Sequence, residues 1–594
     1  MGENKKRKKK RKLEAITFKK CRKIKRVDGL EMQTVQGYTF PDFIKAITSR
    51  YHDRIAYRVF RTGEENDLTY DQLGWEAYAV STYLLNHGIG KGDKVMILGE
   101  SCPNWMVMYL GITCIGAIAV PVLPDFSSSE VHNIIKEAEP KAICVNTKHF
   151  PKVKDADVSL FLRMEDLVHV TDLDKYPFTD APGFSAAHQK IDFKRVSAQE
   201  VKEDDVASLI FTSGTTGSSK GVLLTHLNLL RNADISAVIY VRIKPGMRAL
   251  SILPMSHAYE FTLGHCLMLM LGMEITFLGR PPATSILMAA LSEVRPHAML
   301  SVPLLIEKVY KAAIKPALEA ENVQKLLRYP LTAKVVYHTM GKKLMSTFGN
   351  CMRFFGIGGA AIDDEVVGLL HKIHFPYALG YGLTETSPLI AACGSSHRRQ
   401  HPGYVGEIHP DSDVKLLEMN EEGIGEIAVK GCNVMKGYYK NPGLNDESFT
   451  EDGYFKTGDL GYVDRKRHLL AIKGRVKTMI LGPGGENIYP EPIESLINAN
   501  EYVEESLVIP DKGGLVALIK IDLALMSKKM KISMQEAHEE ALKYVKRIKT
   551  DVNSELSAFS KLSDVELQEE AFERTPTQKI KRFLYERRQG DKGK

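Results

Sequence analysis

From about residue 32, segments with a helix-like pattern of hydrophobic and polar residues alternate with short apolar runs. A helix-like pattern over residues 70–87 precedes short apolar runs at residues 94–99 and 142–145. Further apolar runs of strand length cover residues 206–211, 248–253 and 297–302. Helices that alternate with short buried strands are typical of α/β chains with largely parallel sheets. The pattern therefore predicts an α/β fold.

The pattern of hydrophobic and polar residues changes twice towards the C-terminus. Beyond Pro410, residues 414–418 and 425–430 have the pattern of short strands separated by glycine-containing turns. Around Gly474 a new unit begins, with a Gly/Pro-rich loop at residues 482–485 and a helix predicted at residues 492–498. We therefore divide the chain into an arm (1–31), a large N-terminal domain (32–474) with a β-rich subdomain, and a small α/β C-terminal domain (475–594).

One uncharged segment, residues 105–122, reaches the 18-residue length of a membrane span. Gly111, Gly116 and Pro121 interrupt it, and no basic cluster or aromatic belt brackets both ends. A buried helix that leads into a buried strand is the better interpretation. None of the eight cysteines forms a CxxC pair, which disfavours a zinc site and favours a reducing cytoplasm. We expect a soluble cytoplasmic protein.

The net charge of +7 conceals an uneven distribution. Residues 1–26 hold 14 Lys/Arg, eight of them consecutive at residues 5–12, against only Glu3 and Glu14, so the rest of the chain is mildly acidic. The charge is therefore no argument for a nucleic-acid partner. The arm is either a solvated, disordered tail or a contact to anionic lipid on the inner face of a membrane.

The strongest chemical signal is the stretch Phe211-Thr-Ser-Gly-Thr-Thr-Gly-Ser-Ser-Lys-Gly-Val222. A strand leads directly into small hydroxylated residues and glycines, whose backbone N–H groups can surround an anion. It is not a Walker A loop, because Lys220 precedes Gly221 rather than Ser or Thr. We therefore predict a phosphate-binding loop formed by Thr212, Ser213, Gly214, Thr215, Thr216, Gly217 and Lys220.

This loop resembles the phosphate loop of the adenylate-forming enzymes, with Ser219 where many members carry proline. Four further motifs resemble that superfamily in the same order, at residues 381–386, 454–459, 474–477 and 575–582. The resemblance implies stacked sheets in the large domain and a mobile C-terminal domain. It also implies binding of ATP and Mg²⁺.

The resemblance assigns a role to each motif. Tyr381 and Gly382 would lie at the adenine, Thr384 at the α-phosphate, and Glu385 at Mg²⁺. Asp459 would bind the ribose and Arg475 would face ATP. Lys477 would be the hinge between the domains. Lys579 would be the catalytic lysine, although Gln578 replaces the glycine that many members have before it.

Residues 356–361, Gly-Ile-Gly-Gly-Ala-Ala, also fit the G-x-G-x-x-A fingerprint of dinucleotide-binding proteins. A single match is weak, and no clear strand-ending acid follows about 20 residues later. The resemblance instead assigns Gly358, Gly359 and Ala360 to the adenine pocket and the wall of the acyl channel.

Residues 253–260, Leu-Pro-Met-Ser-His-Ala-Tyr-Glu, resemble the long-chain fatty acyl-CoA synthetase branch, as does a basic helical insertion at residues 309–350. His257 would lie near the substrate carboxylate, or it is a structural residue at a helix start. The implied activity is that of an acid–thiol ligase: a fatty acid forms an acyl-adenylate with release of pyrophosphate, and coenzyme A then takes the acyl group. Gly484 and Gly485 would leave room for the pantetheine arm.

Two alternatives stay open at this point. Acyl carrier protein presents the same pantetheine arm as coenzyme A and could be the acceptor. A non-catalytic adenylating fold docked on a membrane is the other alternative, and the presence of Thr216, Lys220, Glu385, Asp459, Arg475 and Lys579 disfavours it.

Overall fold

Helices and strands alternate through the chain as the sequence predicts. The computed structural model describes residues 16–17, 37–63, 67–170, 190–212, 219–237, 243–279, 283–481, 487–511, 514–557, 560–575 and 580–585. Its sheets contain both parallel and antiparallel strands, and helices connect them. The predicted α/β class is confirmed.

The largest sheet in the described part of the chain has 14 strands. The strands from Ile55–Val59 to Tyr377–Gly382 run parallel, and those beyond Tyr377–Gly382 pair antiparallel. In spatial order they are Ile16–Thr17, Ser412–Leu417, Gly425–Gly431, Phe455–Asp464, Leu469–Arg475, Gly406–Ile408, Leu389–Ala392, Tyr377–Gly382, Phe354–Ile357, Ala298–Ser301, Arg248–Ser251, Glu274–Phe277, Ile55–Val59 and Leu68–Thr69.

A second sheet of eight strands contains the strand that precedes the predicted phosphate loop. In spatial order its strands are Gly437–Tyr438, Lys220–Thr225, Val206–Thr212, Ile118–Val122, Lys94–Leu98, Ala142–Val145, Leu160–Arg163 and His169–Val170. Lys220–Thr225 pairs antiparallel with both of its neighbours. The phosphate-loop hairpin therefore lies close to the edge of this sheet.

Helices cover and connect the two sheets. The predicted helix at residues 70–87 is found at Tyr70–Asn86, where Thr69 and Gln72 form a capping box that satisfies N–H groups of the first turn. The α-helices up to residue 448 are Phe40–Tyr51, Tyr70–Asn86, Pro103–Thr113, Ser128–Ala138, Phe193–Ser197, His226–Ser236, Leu267–Met270, Thr284–Val294, Pro303–Val309, Lys315–Glu319, Glu321–Leu327, Pro330–Thr347, Asp364–Lys372 and Pro442–Ser448. Glu260–Cys266 and Tyr310–Ile314 are π-helical.

The long apolar segment is part of the core, as predicted. It forms the helix Pro103–Thr113, whose residues from Trp105 onwards are all buried, and then the strand Ile118–Val122 between two other strands. Among the described residues, no helix is both long enough and apolar enough to cross a bilayer.

The C-terminal residues form a small sheet with its own core. Its strands are Val503–Asp511, Gly514–Ile521 and Leu562–Leu567, and its helices are Pro490–Asn498, Leu523–Met530 and Met534–Glu555. Their buried side chains, from Ile488 to Val565, form a cluster distinct from the main core. The helix predicted at residues 492–498 begins two residues earlier than expected, because Pro490 fits its first turn.

The N-terminal arm contributes two described residues. The backbone of Ile16 and Thr17 pairs antiparallel with Leu416 and Lys415 at the end of the large sheet. The rest of segment 1–31, including the consecutive basic residues 5–12, lies outside the described residues.

Candidate active site

The predicted phosphate loop begins and ends at one point of the eight-stranded sheet. Thr212 and Lys220 are direct partners in the antiparallel pairing of their two strands. The stretch between them is therefore held at both ends as a hairpin connection. Ser213, Gly214, Thr215, Thr216 and Gly217 lie outside the described residues, so their roles stay predictions.

Lys220 provides a cation at the base of this loop. Its Nζ lies 5.4 Å from the ring centroid of Tyr438, a cation–π distance. Partial burial, and then the positive charge of Lys477, lower the pKa of Lys220, whereas Glu385 raises it. Lys220, the predicted loop lysine, therefore lies within electrostatic range of the predicted hinge lysine and of the predicted magnesium ligand.

Glu385 lies in the 3₁₀ turn Thr384–Thr386, which follows the end of the strand Tyr377–Gly382. The chain after the turn returns so close to this strand that a Cβ at Gly382 would lie 1.7 Å from the carbonyl oxygen of Pro388. The Glu385 carbonyl accepts a hydrogen bond of 2.8 Å from the N–H of Met435. The carboxylate is therefore held on a fixed backbone beside Lys220.

The sequence did not predict the partner of this carboxylate, Tyr438. Its hydroxyl donates a 2.9 Å hydrogen bond to Glu385 Oε1. Burial, and then the Glu385 carboxylate, raise the pKa of Tyr438, which keeps the phenol protonated as a donor. The Tyr438 backbone pairs with Val222, two residues beyond Lys220. Local sequence gives no signal for this contact, because it depends on a strand pairing across more than 200 residues.

Asp459, on the strand Phe455–Asp464 of the large sheet, is the centre of a second cluster. Its side chain is 6% exposed. It accepts a hydrogen bond of 2.9 Å from the Tyr381 hydroxyl and pairs at 2.7 Å with Arg475 Nε. Asp459 and Arg475 are also direct partners across two antiparallel strands. Three residues that the sequence motifs singled out separately therefore meet in one cluster.

The protonation states of this cluster follow from its burial and charge. Burial, and then Asp459, raise the pKa of Tyr381 well above its usual value, so the phenol donates. Burial alone would lower the pKa of Arg475, but Asp459 outweighs it and the net shift is upward. The site thus presents a carboxylate fixed by a phenol and a guanidinium, with oxygen lone pairs that can accept hydroxyl hydrogens.

The glycine stretch at residues 356–361 adjoins a tyrosine from the predicted substrate motif. A Cβ at Gly358 would lie 3.2 Å from Cζ of Tyr259, which is a tight contact. Gly359 has a φ of +88°, in the left-handed region that favours glycine. Ala360 follows as an exposed residue. The loop therefore packs against the 253–260 motif at Tyr259.

His257 lies at the start of a helical segment. Its N–H donates to the carbonyl of Pro254 at 3.0 Å, and its carbonyl accepts from the N–H of Phe261 at 2.9 Å. The backbone of His257 therefore has the helix-start role that the sequence offered as one alternative. A role of the imidazole at a substrate carboxylate stays a prediction.

Three predicted residues of the C-terminal part lie outside the described residues: Lys579, Gly484 and Gly485. The chain on either side of the two glycines is described, and it forms the antiparallel pair Ile480–Leu481 and Asn487–Ile488. An isolated bridge between Arg574 and Ile580 flanks the position of Lys579. Lys477 itself is exposed in the turn after Arg475.

The residues present suit Mg²⁺ bound together with a polyphosphate. Mg²⁺ binds one or two carboxylates and completes its octahedron with phosphate oxygens and water. Glu385 offers one such carboxylate next to the loop of Lys220. Elsewhere in the described part of the chain, the one cluster of at least three metal-ligating side chains is His52, Asp53 and Asp71 at the surface.

The chain is similar to known ligases over most of its length. The chain is 27% identical over 558 residues to the long-chain-fatty-acid–CoA ligase heimdall of Drosophila melanogaster, covering 86% of this chain and 80% of that protein. It is 28% identical over 562 residues to the chloroplastic long-chain-fatty-acid–[acyl-carrier-protein] ligase AEE15 of Arabidopsis thaliana, covering 81% and 76%.

Among solved structures, ATP-bound MatB from Rhodopseudomonas palustris matches with a TM-score of 0.70 and 22% identity, covering 92% of this chain and 98% of that one. This likeness shows a shared fold. A family model described as AMP-binding enzyme matches residues 44–439, more than half of the chain. The chain belongs to the family of AMP-binding enzymes.

Proposed function

We propose that this protein is an acid–thiol ligase that activates a fatty acid with ATP and transfers the acyl group to coenzyme A. The carboxylate attacks the α-phosphorus of ATP, pyrophosphate leaves, and an acyl-adenylate forms. The thiol of coenzyme A then attacks the acyl carbon and AMP leaves with the bonding electrons. The observation that carries this proposal is the pair of clusters Tyr381–Asp459–Arg475 and Lys220–Glu385–Tyr438. They occur in a chain whose relatives are named long-chain-fatty-acid–CoA ligases.

In this proposal the first cluster binds the nucleoside. Asp459 accepts hydrogen bonds from the ribose hydroxyls, and Arg475 and Tyr381 hold its carboxylate in place from the other side. The ring of Tyr381 lies against the adenine, beside Gly358, Gly359 and Ala360. A carboxylate already fixed by two partners needs little reorganisation when the ribose binds.

The second cluster binds the phosphates. Thr212, the hydroxyls of the loop, Thr384 and Lys220 neutralise and orient them, and Glu385 holds Mg²⁺. Mg²⁺, when bound, offsets the negative charge that keeps a carboxylate and a polyphosphate apart. Holding both reactants in line accounts for up to about 7–11 kcal/mol of the barrier. His257 orients the fatty acid carboxylate.

The C-terminal part, residues 475–594, serves both half-reactions in this proposal. Lys579 stabilises the charge on the α-phosphate during adenylation. Rotation about Lys477 then replaces Lys579 by the loop of Gly484 and Gly485, which leaves room for the pantetheine arm. The separate core of this part supports its treatment as a distinct unit.

Acyl carrier protein is the second candidate acceptor. One relative is named a ligase of long-chain fatty acids with acyl carrier protein, which is the observation in its favour. Residues 578–594 hold seven Lys/Arg, and this charge suits the phosphates of either acceptor.

Fatty-acid-dependent release of pyrophosphate tests the proposal. Acids of several chain lengths are supplied with ATP and Mg²⁺, with coenzyme A in one series and acyl carrier protein in the other. We expect turnover that depends on a fatty acid and on coenzyme A. Turnover with acyl carrier protein but not with coenzyme A would make acyl carrier protein the acceptor. ATP binding without turnover on any fatty acid would contradict the ligase proposal.

We also propose that residues 1–26 bring this cytoplasmic protein to the inner face of a membrane. Their 14 basic residues against two acidic ones support this proposal, since each basic residue near an anionic surface contributes about 1 kcal/mol. Binding to anionic vesicles should then weaken with added salt, and should fall when residues 5–12 are all replaced by glutamine.

A further inference from the structure

A two-helix segment outside the site exposes an unusual number of apolar side chains. It comprises the helices Glu321–Leu327 and Pro330–Thr347, and we call it the basic helical segment. Within ten residues it exposes Leu326 by 44%, Tyr329 by 67%, Leu331 by 83% and Val335 by 64%. Large apolar side chains clustered in this way mark an interaction site more often than scattered ones do.

The basic helical segment is fixed at one end and projects at the other. Near the C-terminal end of its second helix, Gly341 and Leu344 are buried. A Cβ at Gly341 would lie 2.5 Å from the carbonyl oxygen of Ile373, so the helix packs closely there. The four exposed apolar residues all lie at the opposite, N-terminal end. These four side chains are therefore exposed on a helical segment whose other end is packed firmly against the protein.

The segment carries a net positive charge. Residues 321–347 contain one acidic residue, Glu321, and it pairs with Lys325 at 2.7 Å. The basic residues are all exposed: Lys325, Arg328, Lys334, Lys342 and Lys343. An anionic surface is the complement of such a segment.

Apolar and basic residues are interleaved along the second helix. Leu331 and Val335 lie on one face, because they are separated by four residues, and the exposed Lys334 stands between them in the sequence. Lys342 follows on the same face about 16 Å behind Leu331, at 1.5 Å per residue, towards the anchored end. A lysine can lay its apolar stem along an apolar surface and keep its ammonium among the headgroups. The segment therefore combines apolar side chains with cations that can reach the headgroups.

We propose that the basic helical segment docks on an anionic lipid bilayer, with Leu326, Tyr329, Leu331 and Val335 entering the boundary between headgroups and acyl chains. A symmetric contact with a second copy of the chain is disfavoured, because it would place two sets of unbalanced positive charge against each other. Lipid also matches the shape of the segment, since the apolar residues form a projecting tip that a soft surface can accept.

This surface is independent of the basic arm, and it goes beyond the proposed ligase activity. Fatty acids with long chains partition into bilayers, so a ligase docked at this point would meet its substrate there. Vesicle binding is measured without substrate or turnover. Failure of the docking proposal is therefore distinguishable from failure of the ligase proposal.

The test uses the full chain in which all 14 Lys/Arg of residues 1–26 are replaced by glutamine, so that the arm no longer carries positive charge. Flotation is measured with vesicles of phosphatidylcholine alone and of phosphatidylcholine mixed with phosphatidylserine. The variant carries Leu331→Asp and Val335→Asp. The matched control carries Met534→Asp and Leu542→Asp, two exposed apolar residues on the helix Met534–Glu555. Thermal unfolding midpoints verify that all chains fold.

We expect the parent to bind the mixed vesicles and the variant to bind them at least about tenfold less tightly, since two apolar side chains no longer leave water. The control should bind as the parent does, and phosphatidylcholine alone should bind little. Equal binding by variant and control would overturn the proposal, as would loss of all binding on neutralising the arm. A change of oligomeric state in the variant alone, measured by light scattering, would assign the tip to a protein interface instead.

Discussion

At the scale of single residues, Asp459 is the side chain on which the proposed nucleoside site depends. We predict that Asp459→Asn raises the KM for ATP by about tenfold or more, because a hydrogen bond to a charged acceptor contributes about 1.5–3 kcal/mol. Arg475 would also lose its counter-charge. The measurement is pyrophosphate release as a function of ATP concentration.

The matched control for this prediction is Asp464→Asn, at the C-terminal end of the same strand. Asp464 accepts hydrogen bonds from the N–H groups of Lys466 and Arg467 and has no contact with the cluster at Asp459. We expect its KM for ATP to be unchanged. A similar rise in both variants would mean that the strand, rather than the carboxylate of Asp459, governs ATP binding.

The lowered pKa of Lys220 leads to a prediction for the pH dependence of kcat/KM for ATP. Burial and Lys477 lower its pKa, so the free enzyme loses this charge at a lower pH than an ordinary lysine, whose pKa is about 10.4. In the proposed site, the protonated form of Lys220 binds the phosphates. Hence kcat/KM for ATP should fall as pH rises towards that range, and it should be restored as pH is lowered.

The variant that checks this assignment is Lys220→Arg, which keeps its charge at every pH measured. We expect its profile to lack the alkaline fall, even if its maximum is lower. Lys202→Arg, an exposed lysine before the neighbouring strand Val206–Thr212, serves as the control and should keep the fall. An alkaline limb unchanged in Lys220→Arg would assign the titration to another group.

Sequence motifs predict those residues whose role is indicated by the residues next to them in the chain. Tyr381, Asp459 and Arg475 each lie in a short motif, and the structure brings them together. Tyr438 was missed, because its partner Glu385 is distant along the chain and its strand has only two residues. Side-chain partners across a sheet are set by strand order.

At the scale of elements, two lysines of the large body hold the end of a helix in the C-terminal part. Lys311 Nζ donates to the carbonyls of Asn498 at 2.8 Å and Val503 at 3.1 Å, and Lys315 Nζ donates to that of Ala499 at 2.8 Å. The last carbonyls of the helix Pro490–Asn498 have no partner within the helix, and cations are favoured there. These bonds fix the orientation of the C-terminal part.

We predict that Lys311→Met together with Lys315→Met loosens this orientation by about 1–3 kcal/mol, the contribution of hydrogen bonds from charged donors. Methionine keeps most of the apolar stem and removes the ammonium. Amide hydrogen exchange of residues 490–503 should become faster, while exchange in the strand Gly514–Ile521 stays unchanged. The control is Lys308→Met, an exposed lysine on the preceding helix. Unchanged exchange in the double variant would mean that other contacts set the orientation.

Most elements with regular periodicity were predictable. The strand predicted at residues 206–211 is Val206–Thr212, and the one at residues 425–430 is Gly425–Gly431. The helix Pro103–Thr113 was ambiguous, because a helix buried on all sides has no polar face to mark its period. The π-helical turn Glu260–Cys266 was not predicted, since hydrophobic periodicity does not distinguish it from an α-helix.

At the scale of the whole molecule, the sequence indicated two bodies but not how the strands combine. The large sheet joins strands from residue 16 to residue 475 in an order unrelated to their order in the chain. This arrangement places Asp459 near Tyr381 and leaves the C-terminal sheet to form its own core. Periodicity reports which face of a strand is buried, and it contains no information on which strand is its neighbour.

The separate cores lead to a prediction for calorimetry. We expect two unfolding transitions, one for the large body and one for the small C-terminal body, because each buries its own apolar cluster. ATP with Mg²⁺ at about 100 times its dissociation constant should stabilise the body that binds it by about 2.7 kcal/mol. Since Asp459, Tyr381, Glu385 and Lys220 all belong to the large body, its transition should move to higher temperature much more than the other. In Asp459→Asn the shift should shrink at the same ATP concentration. A single transition that ATP moves as a whole would instead show that the contacts of Lys311 and Lys315 couple the two bodies into one cooperative unit.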